Sequence, residues 1–217
     1  MVHASMRAVG GRAERVVEAL LETIGPAGTL TAYVDFEPNQ DGEFDLEASP
    51  AVRDHGVLAE VIRTWPGALR SANPGASMAA IGRRAAWLVA DHPLDYGYGP
   101  GSPLAKLVEV DGRVLLLGAD FDHVTLLHHA EHLARLPNKR IVRYAARIGG
   151  VTRTIEEYDT SDGVVASMPE LYFDATVRAF VATGQCASGK VGGAVSHLIP
   201  ARPLTDFAVA ALERDFA

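Results

Sequence analysis

Apolar positions recur along the chain with two periods, and the switches between them predict its elements. Val17, Leu20, Leu21 and Ile24 stand at helical spacing, so residues 13–24 read as an amphipathic helix that Gly25-Pro26 and Gly28 bring to an end. TLTAYV at 29–34 reads as a buried strand. VLAEVIRTW at 57–65 returns to helical spacing and closes at Pro66-Gly67. SANPGASMAAIG at 71–82 is a turn that leads into a short apolar strand, and residues 83–90 are expected to be helical. After a loop dense in Gly, Pro and Tyr at 92–103, Ser102 is placed to cap a short helix from Pro103 to Val108. Asp111-Gly112 turns the chain into VLLL at 114–117, a run expected of a strand buried on both faces.

The next helix is expected to run to Pro137, with Asp122 as its N-cap. Leu126, Leu127, Ala130, Leu133 and Ala134 form its apolar side. His128, Glu131, His132 and Arg135 fall at i, i+3, i+4 and i+7, which puts them on the opposite stripe. Residues 139–159 alternate like an antiparallel pair around Gly149-Gly150. Residues 167–183 read as a helix, 190–199 as a strand and 203–216 as a final helix. The opening VHASM alternates like a strand. Together these predict one mixed α/β domain over residues 1–217, with a central sheet flanked by helices and a late antiparallel hairpin.

Composition narrows the function classes. The chain has 217 residues, a formal net charge of −7 and one cysteine, Cys186. The charge disfavours a general nucleic-acid binder, which needs clustered Lys and Arg. One cysteine excludes an internal disulfide and a multi-cysteine zinc site. No apolar run approaches the ~20 residues that span a bilayer, and MVHASMRAVGG lacks the apolar stretch of a signal peptide, so a cytoplasmic protein is expected. Asp35, Glu37, Asp41, Glu43, Asp45 and Glu47 follow one another without a Lys or Arg between them. Such a stretch is either a solvated loop or a lip that draws in a cationic ligand.

The richest chemistry lies in LLHHAEHLA at 126–134, just beyond the carboxyl end of the VLLL strand, where open α/β sheets bind ligands. Three readings compete. His128, Glu131 and His132 fit the H-x-x-E-H pattern of a zinc peptidase, with Glu170 as a third ligand without marks of its own. One histidine oriented by a carboxylate can instead act as a metal-free general base. The third reading is a solvated polar stripe.

Several segments resemble one family in order along nearly the whole chain. They are VHASMRAVGG at 2–11, GTLTAY at 28–33, FDLEAS at 44–49, VLAEVIRTWPGALRSANPGASMAAIG at 57–82 and DYGYGPGSPLAKLV at 95–108. VLLLGADFDHVTLLHHAEHLARLPNKRIVRY at 114–144 is the strongest, and EEYDT at 156–160 and GKVGGAVSHLI at 189–199 continue the series. They resemble the aminoglycoside 3-N-acetyltransferases, in particular the class II and III gentamicin-type enzymes.

The resemblance implies the antibiotic N-acetyltransferase fold rather than the GNAT fold, acetyl-CoA as donor and no metal. The partners it implies are an aminoglycoside and coenzyme A, with no nucleic acid or membrane, in a monomer or homodimer. The family's T-x-x-H-x-x-E motif falls on Thr125, His128 and Glu131, making His128 the general base with Glu131 or Asp122 in support. His3, Ala4, Ser5, Met6 and Arg7 would flank the coenzyme arm, and Arg70, Ser71, Pro74 and Ser77 its phosphates. Asp35, Glu37, Asp45, Tyr96 and Asp159 would meet the aminosugar. The resemblance also implies that a segment usual before the VHAS strand is missing, and that the loop between Tyr33 and Phe44 is short. A zinc hydrolase, an acetyltransferase for another amine and a non-catalytic polyamine-binding module stand as alternatives.

Overall fold

The computed structural model describes residues 1–36, 42–161 and 163–217. The chain opens with β1 (Val2–Ala4), α1 (Met6–Val9), α2 (Ala13–Ile24), β2 (Thr29–Tyr33), β3 (Glu43–Phe44) and α3 (Val57–Arg63). β4 (Leu69–Arg70), β5 (Met78–Gly82), α4 (Ala85–Val89), α5 (Pro103–Glu109), β6 (Arg113–Leu117) and α6 (Leu126–Leu133) follow. The last third holds β7 (Ile141–Ile148), β8 (Val151–Tyr158), α7 (Tyr172–Ala182), β9 (Ala187–Val191), β10 (Ala194–Pro200) and α8 (Ala201–Phe216).

The expected single central sheet is replaced, among the described residues, by three sheets. The first has the order β1-β6-β10-β9, with β1 parallel to β6 and the other pairs antiparallel. The second is the antiparallel set β2-β5-β4, and the third joins β3 to the β7–β8 hairpin. Strand periodicity fixes which residues face a core, but it carries no information about which strands pair, so the partition was not readable.

β6 shows how the layers are held. Val114 and Leu116 enter a core built with Leu104 of α5, Leu126 and Leu127 of α6, Phe180 of α7 and Leu204 of α8. Leu115 and Leu117 face the opposite core, with Val17 of α2, Leu30 of β2, Leu58 and Ile62 of α3, and Ala79 of β5. Period-two alternation puts adjacent residues on opposite faces, and both faces are covered, hence the unbroken apolar run.

Three boundaries differ from expectation. The stretch 190–199 is a hairpin, β9 and β10, turning at Gly192, whose φ of 59° suits a residue without a Cβ. α7 begins at Tyr172 rather than 167, after turns around Pro169. α6 spans only Leu126–Leu133, with Thr125 at its N-cap position, while Asp122 sits in a separate 3-10 turn at Phe121–His123 and caps nothing.

Candidate active site

β1 and β6 run parallel, so Ala4-Ser5 and Leu117-Gly118 leave the sheet side by side, the Ser5 amide donating to the Leu117 carbonyl at 2.9 Å. Gly118 has a φ of +65°, and a Cβ there would stand 2.7 Å from the Ala194 Cβ and 2.9 Å from the Ala8 Cβ. Only glycine lets the strand end pass between α1 and β10. The opening beyond is a cavity of about 380 Å3, lined by His3, Ala4, Ser5, His55, Gly118 and Thr125 among others. Thr125 belongs to its wall, and the Thr125 carbonyl accepts from the His128 amide at 3.0 Å. His128 itself lines a second cavity, of about 490 Å3, with Asp122, Glu131, Ser161, Glu170 and Phe173. The first turn of α6 thus borders both.

His128 Nδ1 lies 2.8 Å from Glu131 Oε2. A carboxylate only accepts, so Nδ1 carries the hydrogen and Nε2 keeps a free lone pair when the ring is neutral. Glu131 is fully buried, and its other oxygen accepts from the Val164 amide at 3.2 Å. The imidazole is packed between Tyr98, at 5.0 Å between ring centroids, and Phe173, at 5.2 Å. An imidazole of defined orientation results, in the wall of that cavity. Asp122 lines the same cavity but makes no hydrogen bond to His128 among the described residues. Geometry therefore pairs His128 with Glu131.

The polar stripe expected on α6 is corrected. Glu131, on that stripe, is buried, whereas Leu133, on the expected apolar side, is exposed. His129 Nδ1 donates to the Tyr98 carbonyl at 2.8 Å, and burial pushes its pKa down. α6 packs on several sides at once, so a two-faced reading misplaces these residues. His132 diverges from His128: its Nε2 is 3.0 Å from Glu157 Oε1, without hydrogen-bond alignment, and its ring packs on Tyr158 at 4.7 Å. The zinc reading needs both histidines on one ion. No group of three His, Cys, Asp or Glu side chains among the described residues is arranged for that.

The expected coenzyme residues divide. His3, Ala4 and Ser5 line the smaller cavity, Met6 packs into the core below α3, and Arg7 is exposed. Arg70, Ser71, Pro74 and Ser77 do not reach this wall. The Arg70 guanidinium donates to the Val34 carbonyl, to the Ser49 carbonyl at 2.5 Å and to Ser77 Oγ at 3.0 Å, and it covers the Phe44 ring. Burial lowers its pKa to about 10. Ser71 Oγ meets the Met78 amide and His92, and the Pro74 carbonyl accepts from the Phe36 amide. These groups brace the β4–β5 turn.

The expected aminosugar residues are also scattered. Asp35 is bonded to His55 Nε2. Asp45 accepts from the Glu47 and Ala48 amides, which lowers its pKa. Tyr96 donates to Glu156 at 2.5 Å, and that bond raises its pKa to about 12. Asp159 accepts from the Ser161 hydroxyl at 2.6 Å, beside the rim of the larger cavity. Glu37 lies outside the described residues. Sequence reasoning missed His55 and the contact of Tyr33 with Tyr98, whose hydroxyls are 2.5 Å apart. Their partners are tens of residues away, and no local pattern marks them.

A sequence profile of the aminoglycoside 3-N-acetyltransferases matches residues 1–213. The aminoglycoside N(3)-acetyltransferase III of Pseudomonas aeruginosa is 45% identical over 240 residues, taking in 100% of this chain and 87% of that protein. Among solved structures, AAC-IIIb in a binary complex with CoASH superposes with a TM-score of 0.97 at 47% identity, covering 100% of this chain and 90% of that one. AAC-VIa with bound sisomicin gives 0.93 at 37% identity, covering 100% and 91%. Both superpositions take in the whole of this chain, so its fold is that of those acetyltransferases. On profile, identity and superposition alike, the chain belongs to the aminoglycoside 3-N-acetyltransferase family.

Proposed function

We propose that the protein transfers the acetyl group of acetyl-CoA directly to the 3-amino group of a 2-deoxystreptamine aminoglycoside, and so confers resistance, with His128 as the general base. The observation that carries this is the Nδ1 contact of His128 with buried Glu131, which leaves Nε2 without a hydrogen bond among the described residues, on a side chain that lines the larger cavity. An ammonium group has no lone pair, so the acceptor nitrogen must lose a proton before it attacks the thioester. A histidine, with an ordinary pKa of about 6.5, removes protons well at neutral pH. Glu131 holds the ring and balances the imidazolium that forms.

In this reading the acceptor occupies the larger cavity, where Asp122, Glu170 and the Asp159–Ser161 turn face its ammonium groups. The coenzyme arm lies in the smaller cavity, along His3, Ala4 and Ser5. The setting is the cytoplasm, in a monomer or homodimer.

Thiol release from acetyl-CoA, followed with gentamicin, sisomicin, neomycin and kanamycin offered singly, tests the assignment, with a blank for Cys186. Release is expected only with both substrates present. His128→Ala should lower turnover by ~10²–10⁴-fold while coenzyme A binding is kept. A wild-type protein that binds coenzyme A yet acetylates none of the four would overturn the acceptor class.

A further inference from the structure

The loop between β8 and α7 walls the larger cavity with Thr160, Ser161, Gly163, Met168 and Pro169. One peptide group of this loop reaches the His128–Glu131 pair. It joins Gly163 to Val164, and its N–H, from Val164, donates to Glu131 Oε1 at 3.2 Å. Its C=O, from Gly163, accepts from Arg140 Nε at 3.2 Å and from Arg140 Nη2 at 2.5 Å. Arg140 and Glu131 therefore hold the two ends of the same peptide group.

Four groups stand in series: Arg140, the Gly163–Val164 peptide, Glu131 and His128. Each contact joins a positive end to a negative one. The guanidinium meets the carbonyl, the amide meets the carboxylate, and the second carboxylate oxygen meets His128 Nδ1 at 2.8 Å. A cationic donor on the carbonyl oxygen polarises the peptide and strengthens the hydrogen bond that its N–H makes. Arginine suits the place because its planar fork sets two nitrogens on one oxygen. The third, Nη1, lies 3.5 Å from Asp159 Oδ2.

Backbone bonds fix the peptide's place. The Arg140 amide donates to the Val164 carbonyl at 2.8 Å, and the Asp159 amide donates to the Arg140 carbonyl at 3.0 Å. Arg140 directly precedes β7 and Asp159 directly follows β8, where Ile141 pairs with Tyr158. The base of the hairpin thus clamps the loop. Gly163 has a φ of +82°, and a Cβ there would stand 2.6 Å from both the Cβ and the Sδ of Met168. The turn that presents the peptide accordingly requires glycine. Val164 is fully buried, so bulk water does not compete for its bonds.

We propose that Arg140 is a positioning residue for His128, acting through the Gly163–Val164 peptide and Glu131. It fixes where the carboxylate stands and, through it, how the imidazole is aimed at the acceptor amine. The inference rests on the reading of His128 as the general base. Misplacing a reacting group by ~1 Å can cost about 10²-fold in rate, so a residue outside the reacting pair can govern turnover.

The test is Arg140→Ala in the full chain, read as kcat, as KM for acetyl-CoA and as coenzyme A binding by calorimetry. We expect kcat to fall about 10–10²-fold, with KM for acetyl-CoA and coenzyme A binding kept. In a Glu131→Gln background the same change should cost less than about twofold more, because a residue that acts only through Glu131 has nothing left to act on. Arg140→Lys keeps a cation beside Asp159 but lacks the fork, and should lower kcat about 10-fold. It replaces the alanine variant throughout if that one does not fold. A kcat within about twofold of wild type would overturn the proposal and leave the acetyltransferase standing. So would a loss that recurs in full on top of Glu131→Gln, since that is what general damage to the loop produces. A wild type with no acetyl transfer, or a fully active His128→Ala, would sink the reading of the base and this inference with it.

Discussion

Glu131 gives one carboxylate oxygen to His128 and the other to the Val164 amide. An amide in its place has a single acceptor oxygen for two donors. Glu131→Gln should therefore lower kcat by about 10²-fold and cost about 1–3 kcal/mol of stability, measured by steady-state kinetics and denaturant unfolding. His92 makes a second residue-scale prediction. Its Nε2 donates to the Gly97 carbonyl and its Nδ1 accepts from Ser71, and burial lowers its pKa from 6.5 to about 4. The unfolded chain thus binds the proton first as pH falls. The stability from the neutral ring is complete above pH 6.5 and drains away towards pH 4. Between pH 7 and pH 5 this one group removes about 2 kcal/mol, and His92→Gln should flatten that part of the stability curve. At this scale the sequence marked His128 and Glu131, which the fold brings into contact, yet it set Leu133 on the apolar side of α6, where it is exposed. It also had no means of seeing His55 meet Asp35 twenty residues away. Pattern reports local order, and these side chains answer to contacts across the fold.

Among the elements, those ended by local chemistry were the most legible. Residues 13–24 form α2, and Ser102 caps α5 by accepting from the Ala105 amide at 3.1 Å with Pro103 in the first turn. Ser102→Ala should lower stability by about 1 kcal/mol, read from the denaturant midpoint, with little effect on KM. The α6 boundary and the β9–β10 hairpin were hidden. Thr125 and Val124 are held by the fold rather than by a capping side chain, and Gly192-Gly193 reads equally as a strand interruption. Gly118 offers a sharper test. Gly118→Ala forces a left-handed backbone on alanine and drives its Cβ into Ala8 and Ala194. It should destabilise by at least about 1–3 kcal/mol and raise KM for acetyl-CoA more than KM for the acceptor.

Across the whole molecule the α/β class followed from the alternating periods, whereas the three-sheet partition depends on pairings such as Leu30 with Ile81 that no periodicity encodes. The net charge of −7 acts at this scale as well. A polycationic acceptor is drawn to such a surface and an anionic coenzyme is not, and salt screens both effects. Raising ionic strength should therefore increase KM for the aminoglycoside and leave KM for acetyl-CoA unchanged or lower, as steady-state kinetics at several salt concentrations would show. The burial of β6 on both faces, with β1 and β10 on its two edges, carries a further consequence. Its amides have no local route to water, so deuterium should enter them only when the entire protein opens. The ledge formed by Leu117 and Gly118 would then be among the last places to take up label, and the Tyr158–Ser161 rim among the first. On the proposed placement, the donor half of the site would stay a fixed template while the acceptor half breathes around each antibiotic it meets.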